Sequence, residues 1–383
     1  MFDHVVVGAG FAGAVFARKC ASLGGRVLLI EKRNHIGGNC YDYFDKRGII
    51  VHRYGPHLFH TSNAEVFAYL SRFTRWREYQ HRVLAQVDGR EVPLPFNLNS
   101  LHMLFPAGMA DSLERRLIDC FGFGVKVPIL ELKKQEDRQL RQLADYIYEK
   151  IFVNYTAKQW SCSPEKISGE VMGRVPVFIS RDDRYFHDTY QVVPKHGYTG
   201  LFTNLLDHPR IHLLLNTDFR DVVSLKPEGG TVSLFGRPFS GKLVFTGMID
   251  SLFDCCFGPL PYRSLRFDFE SLEIDSFQRA AVVNYPNNFD FTRITEFKKI
   301  CGRCTAGTTI LREFPRDFDP DPEKKQTPCY PIFKRDNIRR YERYKELAER
   351  FPDLILVGRL AEYRYYDMDD IVERVLTVFS ELF

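Results

Sequence analysis

The chain has 383 residues, 44% of them hydrophobic and 27% charged, a globular composition too long for one simple core and suited to two or three domains. Its 53 basic and 49 acidic residues leave a net charge of +4, without the clustered Lys/Arg and stacking aromatics of a nucleic-acid binder. No apolar run reaches the ~18 residues that span a bilayer, and Met1-Phe2-Asp3-His4 lacks the basic segment of a secretion signal, so no nucleic acid, no membrane insertion and a cytoplasmic location are expected.

In chain order, a strand from Val5 to Val7 runs into Gly8-Ala9-Gly10-Phe11-Ala12-Gly13 and then a helical pattern. Gly8 permits the tight turn, Gly10 admits a pyrophosphate close to the backbone, and Gly13 lets helix and strand pack, while the helix N-terminus offers N–H groups to the anion. A second strand, Arg26 to Ile30, ends at Glu31, 18 residues after Gly13. A carboxylate there accepts ribose hydroxyls, so strand, turn, helix and acid together predict a bound dinucleotide. Lys32 and then Gly37-Gly38-Asn39 follow. In flavoproteins of the glutathione-reductase and amine-oxidase class such a glycine pair lets backbone approach the rest of FAD, which makes FAD the expected cofactor rather than NAD.

Tyr54-Gly55-Pro56-His57-Leu58-Phe59-His60-Thr61 reads as a fixed loop lined by two imidazoles, His57 and His60. Arg82 to Val87 and Arg90 to Pro95 flank Asp88-Gly89, a hairpin signal foreign to a Rossmann sheet, so a second, antiparallel sheet begins there. From about Leu101 to Gln159 the apolar spacing is helical. Phe152, Tyr155, Thr156 and Trp160 recur at three and four and share a face, as either a core stripe or one wall of a pocket. Gly173 and Pro176 bracket Arg174, which reads either as an ordinary solvated arginine or as a hinged one able to close over a phosphate.

Ile211 to Leu215 and Leu243 to Thr246 read as returning Rossmann strands, and Phe277 to Tyr285 and Phe291 to Phe297 as strands of the second sheet. The nine cysteines are scattered and odd in number, as reduced thiols are. Cys301-Gly302-Arg303-Cys304 has no second pair or nearby His to complete a zinc set, and no metal is expected. Lys334 to Arg350 is a charged amphipathic helix, Leu354 to Val357 a short strand meeting Gly358-Arg359, and a last helix follows Asp369.

GAGFAGAV at 8–15, RNHIGGN at 33–39, YGPHLFHT at 54–61, NYTAKQW at 154–160, FTRITEF at 291–297, YPI at 330–332 and VGRLAEYRYYDMD at 357–369 together resemble the bacterial UDP-galactopyranose mutases over nearly the whole chain. The resemblance implies an α/β fold: a Rossmann-type FAD-binding domain with an inserted helical domain and an antiparallel β-sheet domain. The expected division is 1–74, 196–258 and 345–383 for the FAD-binding domain, 98–170 for the helical insertion with its lid, and 75–97, 171–195 and 259–344 for the sheet. It implies an isomerase that interconverts UDP-galactopyranose and UDP-galactofuranose on reduced FAD, through a covalent flavin N5–sugar adduct and with no net redox change. It also implies a homodimer serving galactofuranose biosynthesis for cell-wall or surface polysaccharide.

Carried over by position, the resemblance gives Gly8, Gly10, Phe11, Gly13, Glu31, Lys32, Gly38, Asn39, His57, Arg359, Asp367 and Met368 to the cofactor. Phe152, Tyr155, Thr156, Trp160, Arg174, Tyr185, Asn284, Arg293, Tyr330 and Tyr365 go to the substrate, with Arg174, Arg293, His57 and His60 catalytic. Cys329, Val153 and Ala361-Glu362 depart from the family pattern. They keep open a mutase acting on another UDP-sugar, such as UDP-N-acetylgalactosamine or UDP-arabinopyranose; an amine-oxidase-like flavin oxidoreductase is the alternative of another class.

Overall fold

The computed structural model describes residues 2–160, 176–226, 228–302 and 305–383. Five parallel strands form the nucleotide sheet in the order Ile211–Leu214, Val27–Ile30, His4–Val7, Lys242–Phe245, Leu354–Leu356. The three central strands are covered on both faces, so residues 5–7, 27–30 and 243–245 are unbroken apolar runs rather than alternating with polar residues. Val6, Val27 and Leu29 point into a core built with the helices Phe11–Ser22, Gly197–Leu206 and Met368–Leu382. Their neighbours Val5, Val7, Leu28 and Ile30 point the other way, as a period of two requires. There they meet the helix Arg335–Ala348 and the antiparallel meander of Val223–Lys226, Thr231–Leu234 and Arg237–Phe239.

The second sheet has seven strands, in the order Tyr330–Pro331, Tyr262–Leu272, Thr308–Asp317, Arg293–Glu296, Val282–Asn284, Val83–Val87, Arg90–Leu94. All its pairings are antiparallel except that of Val282–Asn284 with Val83–Val87. The Asp88-Gly89 hairpin forms as expected: both residues have positive φ, 47° and 80°, the type I′ geometry that matches strand twist. On the hairpin packs a helical layer running from Leu98–Leu104 to Arg138–Ile147 and on to Asn154–Trp160.

Two expectations change in detail. The strand expected from Phe277 begins only at Val282. The buried Glu296 carboxylate accepts the N–H groups of Phe277 (3.0 Å) and Gln278 (3.1 Å), which diverts them from a ladder. Phe297 leaves its strand and opens the short helix Phe297–Cys301.

Among the described residues no helix is long and apolar enough to cross a membrane, and no group of three or more His, Cys, Asp or Glu is placed to hold a metal ion.

Candidate functional site

The two glycine motifs interlock at the carboxyl ends of the parallel strands. The N–H of Gly37 donates to the carbonyl of Ala9 (2.9 Å), and a Cβ at Gly38, whose φ is +56°, would stand 2.9 Å from Gly10 Cα. The approach thus requires a bare backbone at Gly38, whereas a Cβ at Gly10 would stand 3.7 Å from Gly38 Cα, an ordinary contact. Gly13 meets the preceding strand equally closely, a Cβ there falling 1.9 Å from the Gly8 carbonyl oxygen.

Buried Glu31 accepts the N–H groups of Ala9 (2.9 Å) and Arg33 (3.0 Å), so its carboxylate is fixed before any ligand arrives. A carboxylate has about four acceptor positions, which leaves two for ribose hydroxyls.

These residues open onto a cavity of about 1760 Å³. Of the expected cofactor set, Gly8, Gly10, Phe11, Glu31, Lys32, Gly38, Asn39, His57, Arg359, Asp367 and Met368 line it. Gly13 does not; it lies behind the turn as the packing contact. The elongated, glycine-floored cavity at a helix N-terminus fits a dinucleotide such as FAD.

A second cavity, of about 680 Å³, adjoins the first. Asn39, Tyr54, His57, Cys329, Arg359, Asp367 and Met368 line both, so this ring of residues marks where the two meet. Phe152, Tyr155, Thr156, Tyr185, Asn284, Arg293, Tyr330, Tyr365 and His60 line the second cavity. The side chain of Trp160 and the whole of Arg174 lie outside the described residues.

Arg293 is the cationic centre of that cleft. Its strand pairs antiparallel with Thr308–Asp317, which sets Arg293 opposite Glu313, and Nε stands 2.8 Å from the Glu313 carboxylate, itself 1% exposed. Burial opposes the guanidinium charge, but Glu313 and then Tyr155 favour it, and the net pKa is raised. On the other flank Arg293 is in register with Asn284. Arg359 lies over the rings of Tyr330 (5.3 Å) and Tyr365 (4.9 Å), which are nearly parallel. Its Nη1 donates to the Cys329 carbonyl (3.3 Å) and its Nη2 to that of Tyr366. Tyr365 in turn donates to Asp367 (2.9 Å).

The histidines have assignable tautomers. His57 Nδ1 lies 2.8 Å from the Gly55 carbonyl, an acceptor only, so Nδ1 carries the proton and Nε2 is free to accept. The His57 N–H donates to Nδ1 of His52 (2.9 Å). His60 stacks on Phe186 with centroids 3.7 Å apart and holds Asp188 Oδ2 3.0 Å from its Nδ1.

Burial pushes three imidazoles down, His52 to about 4 and His57 and His81 to about 3. An unfolded histidine titrates near ~6.5, so the stability tied to these neutral rings is complete above that pH. It is lost as pH falls below it, by about 1.4 kcal/mol per pH unit for each ring. The FAD-loaded protein should therefore unfold at lower urea concentration at pH 5.5 than at pH 7.5. Equal midpoints would mean that these rings are not buried neutral. The same shift leaves His57 uncharged near neutrality, as a hydrogen-bonding rather than a proton-donating imidazolium group.

Sequence reasoning missed Glu313, Asp188, Tyr54 as a shared wall residue, and the π-helical turn Tyr148–Val153 that precedes Asn154–Trp160. Only the distant strand pairing reveals the first, and an extra residue in a helical turn leaves no periodic signal. Of the departures, Ala361 is fully buried and Glu362 accepts the Gly358 N–H (2.9 Å) while pairing with Arg374 (2.8 Å). Both brace the loop that presents Arg359.

Comparison with known proteins adds to this geometry. Residues 150–365 match the family model described as UDP-galactopyranose mutase, and residues 6–73 one described as an NAD(P)-binding Rossmann-like domain. The chain is 35% identical over 386 residues to UDP-galactopyranose mutase of Mycoplasma pneumoniae, covering 100% of this chain and 96% of the relative. It is 34% identical to dTDP-fucopyranose mutase of Escherichia coli, over 97% of this chain and 96% of that one. A crystal structure of reduced UDP-galactopyranose mutase superposes with a TM-score of 0.72 at 17% identity, over 100% of this chain and 94% of the other. Putrescine oxidase shares the fold, with a TM-score of 0.60 at 12% identity over 99% and 98%.

Proposed function

The chain belongs to the UDP-galactopyranose mutase family, and from that premise we propose that it interconverts UDP-galactopyranose and UDP-galactofuranose. It is an isomerase, and its cofactor is FAD, active in the reduced form. The observation that carries the reading is the junction: a cleft holding a half-buried guanidinium among phenols opens, through seven shared wall residues, onto the dinucleotide cavity. An oxidase needs no cation where its substrate reacts; a mutase must hold a departing diphosphate until it returns.

Reduced FAD, when bound, supplies a nucleophilic N5 for covalent catalysis at the anomeric carbon, with no net redox change. Arg293 then holds the nucleoside diphosphate through its charge, with Tyr155, Tyr185, Tyr330 and Tyr365 as hydroxyl donors and Arg174 as a second clamp. Glu313 keeps the Arg293 fork in place. His57 and Arg359, which line both cavities, would hold the cofactor's reacting end, and Phe152, Thr156 and Asn284 would hold the nucleoside, with Trp160 added to them by the family resemblance alone. His60 completes the sugar side. Family membership extends the proposal to a cytoplasmic homodimer serving surface-polysaccharide synthesis, with the domain division given above.

The test is anaerobic: incubate the FAD-loaded protein with UDP-galactofuranose, with and without dithionite, and follow UDP-galactopyranose by chromatography. Conversion only after reduction is expected. No conversion in either state removes this substrate. UDP-N-acetylgalactosamine, UDP-arabinopyranose and dTDP-fucopyranose run in parallel as competing sugar nucleotides, the last because a relative of equal similarity is named for it.

A further inference from the structure

The strand Tyr262–Leu272 carries an arginine whose residue is 1% exposed. Arg263 is among the largest fully buried side chains in the described residues. A guanidinium taken out of water must have its N–H groups satisfied, and the partners here are specific. Nε donates to the Gln159 carbonyl (2.8 Å) and Nη2 to the Lys158 carbonyl (3.1 Å), while Nη1 pairs with Asp317. Both carbonyls belong to the last turn of the helix Asn154–Trp160.

That short helix carries Tyr155 and Thr156 into the cleft. The Arg263 backbone serves the opposite wall: it pairs in register with Tyr330, and its carbonyl accepts the Cys329 N–H (2.8 Å). One residue thus ties the helical wall of the cleft to the tyrosine wall. On the same helix Lys158 Nζ donates to the Tyr285 carbonyl (2.8 Å), just after the strand that carries Asn284. The helix therefore has two cationic attachments to the sheet. Arg263 alone is forked and buried.

We propose that Arg263 is a positioning residue of the cleft: its guanidinium, bonded to the terminal carbonyls of Asn154–Trp160, sets the distance between Tyr155 and Thr156 on one wall and Tyr330 and Arg293 on the other. It touches no substrate atom and acts through the helix. The inference rests on the reading that this cleft takes a nucleoside diphosphate. The fork matters as well as the charge, because a lysine ammonium is a single point on a flexible stem and does not hold two carbonyls and a carboxylate in the fixed plane of a guanidinium.

The test compares the parent with Arg263→Lys and Arg263→Met, both loaded with FAD. UDP affinity is measured by titration, KM and kcat in the reduced state, and hydrogen exchange on the peptide covering 154–160 without substrate. Both variants should retain the flavin spectrum and exchange that peptide faster. The dissociation constant for UDP and the KM should rise about tenfold, with kcat changed by less than about threefold, as expected for a displaced binding wall. Unchanged exchange, or faster exchange with UDP affinity within about twofold of the parent, overturns the proposal. If Arg263→Met does not accumulate folded, Arg263→Lys, which keeps the charge and loses the fork, decides alone. A parent that binds no UDP removes the functional reading, and the exchange comparison then decides the attachment separately.

Discussion

Replacing Arg293 by alanine is expected to lower turnover by about a hundredfold or more while FAD stays bound, the scale of losing one positioned charged donor in a water-excluded site. The flavin should be unaffected because Arg293 lines the smaller cavity and is not among the residues shared with the larger one. The alanine variant carries a second consequence: it strands the Glu313 carboxylate, 1% exposed, and an unpaired buried charge costs about 3–5 kcal/mol. Arg293→Lys separates the two effects. It keeps a cation beside Glu313 and loses the bidentate fork, so its thermal stability should stay near that of the parent while turnover falls by an intermediate factor of about ten. Steady-state rates of the reduced enzyme within about threefold of the parent in both variants would remove Arg293 from the diphosphate role.

The second large effect lies at a residue that touches no ligand. Gly13→Ala adds one carbon, 1.9 Å from the Gly8 carbonyl oxygen and 3.1 Å from both the Gly8 carbonyl carbon and Val6 Cγ1. The obstruction is chiefly backbone, so no rotamer relieves it. The helix must lift off the strand whose end holds the cofactor, and overpacking of this kind costs about 3 kcal/mol or more. The variant should be recovered colourless or in poor yield. Gly108→Ala is the control: Gly108 is the second residue of the helix Ala107–Phe121 and nothing lies within 4 Å of its added carbon, so this variant should stay yellow and melt with the parent. A yellow Gly13→Ala protein melting with the parent would show that the turn tolerates a side chain.

How much was legible beforehand follows from the range of the interactions. The glycine turn, Glu31 and the Asp88-Gly89 hairpin each rest on residues close in sequence, and the returning strands are short, mostly apolar runs, broken once at His212. Glu313 was not legible, because its meaning depends on the register that sets it opposite Arg293. The longest strand pair, Tyr262–Leu272 with Thr308–Asp317, also gave no clear signal. Its partly exposed half carries Arg266, Asp268 and Glu270, and Pro315 interrupts the other strand as read from sequence. Arg263 carried no signal of its own in the sequence, because the carbonyls that bury it come from a helix more than a hundred residues earlier.

The strand order also says when, during synthesis, the cofactor site comes into being. The central strand His4–Val7 and its neighbour Val27–Ile30 emerge first, but the strands that complete the sheet begin only at Ile211, Lys242 and Leu354. Arg359, Asp367 and Met368, which close the junction, come later still. At elongation rates of about 5–20 residues per second, that interval is on the order of half a minute. For that time the glycine turn is exposed on the ribosome with no partner strand on one side. Retention of FAD thus waits on residues more than 300 positions after the glycine turn, and a nascent chain released before Leu354 lacks both the edge strand and the residues that would retain the flavin.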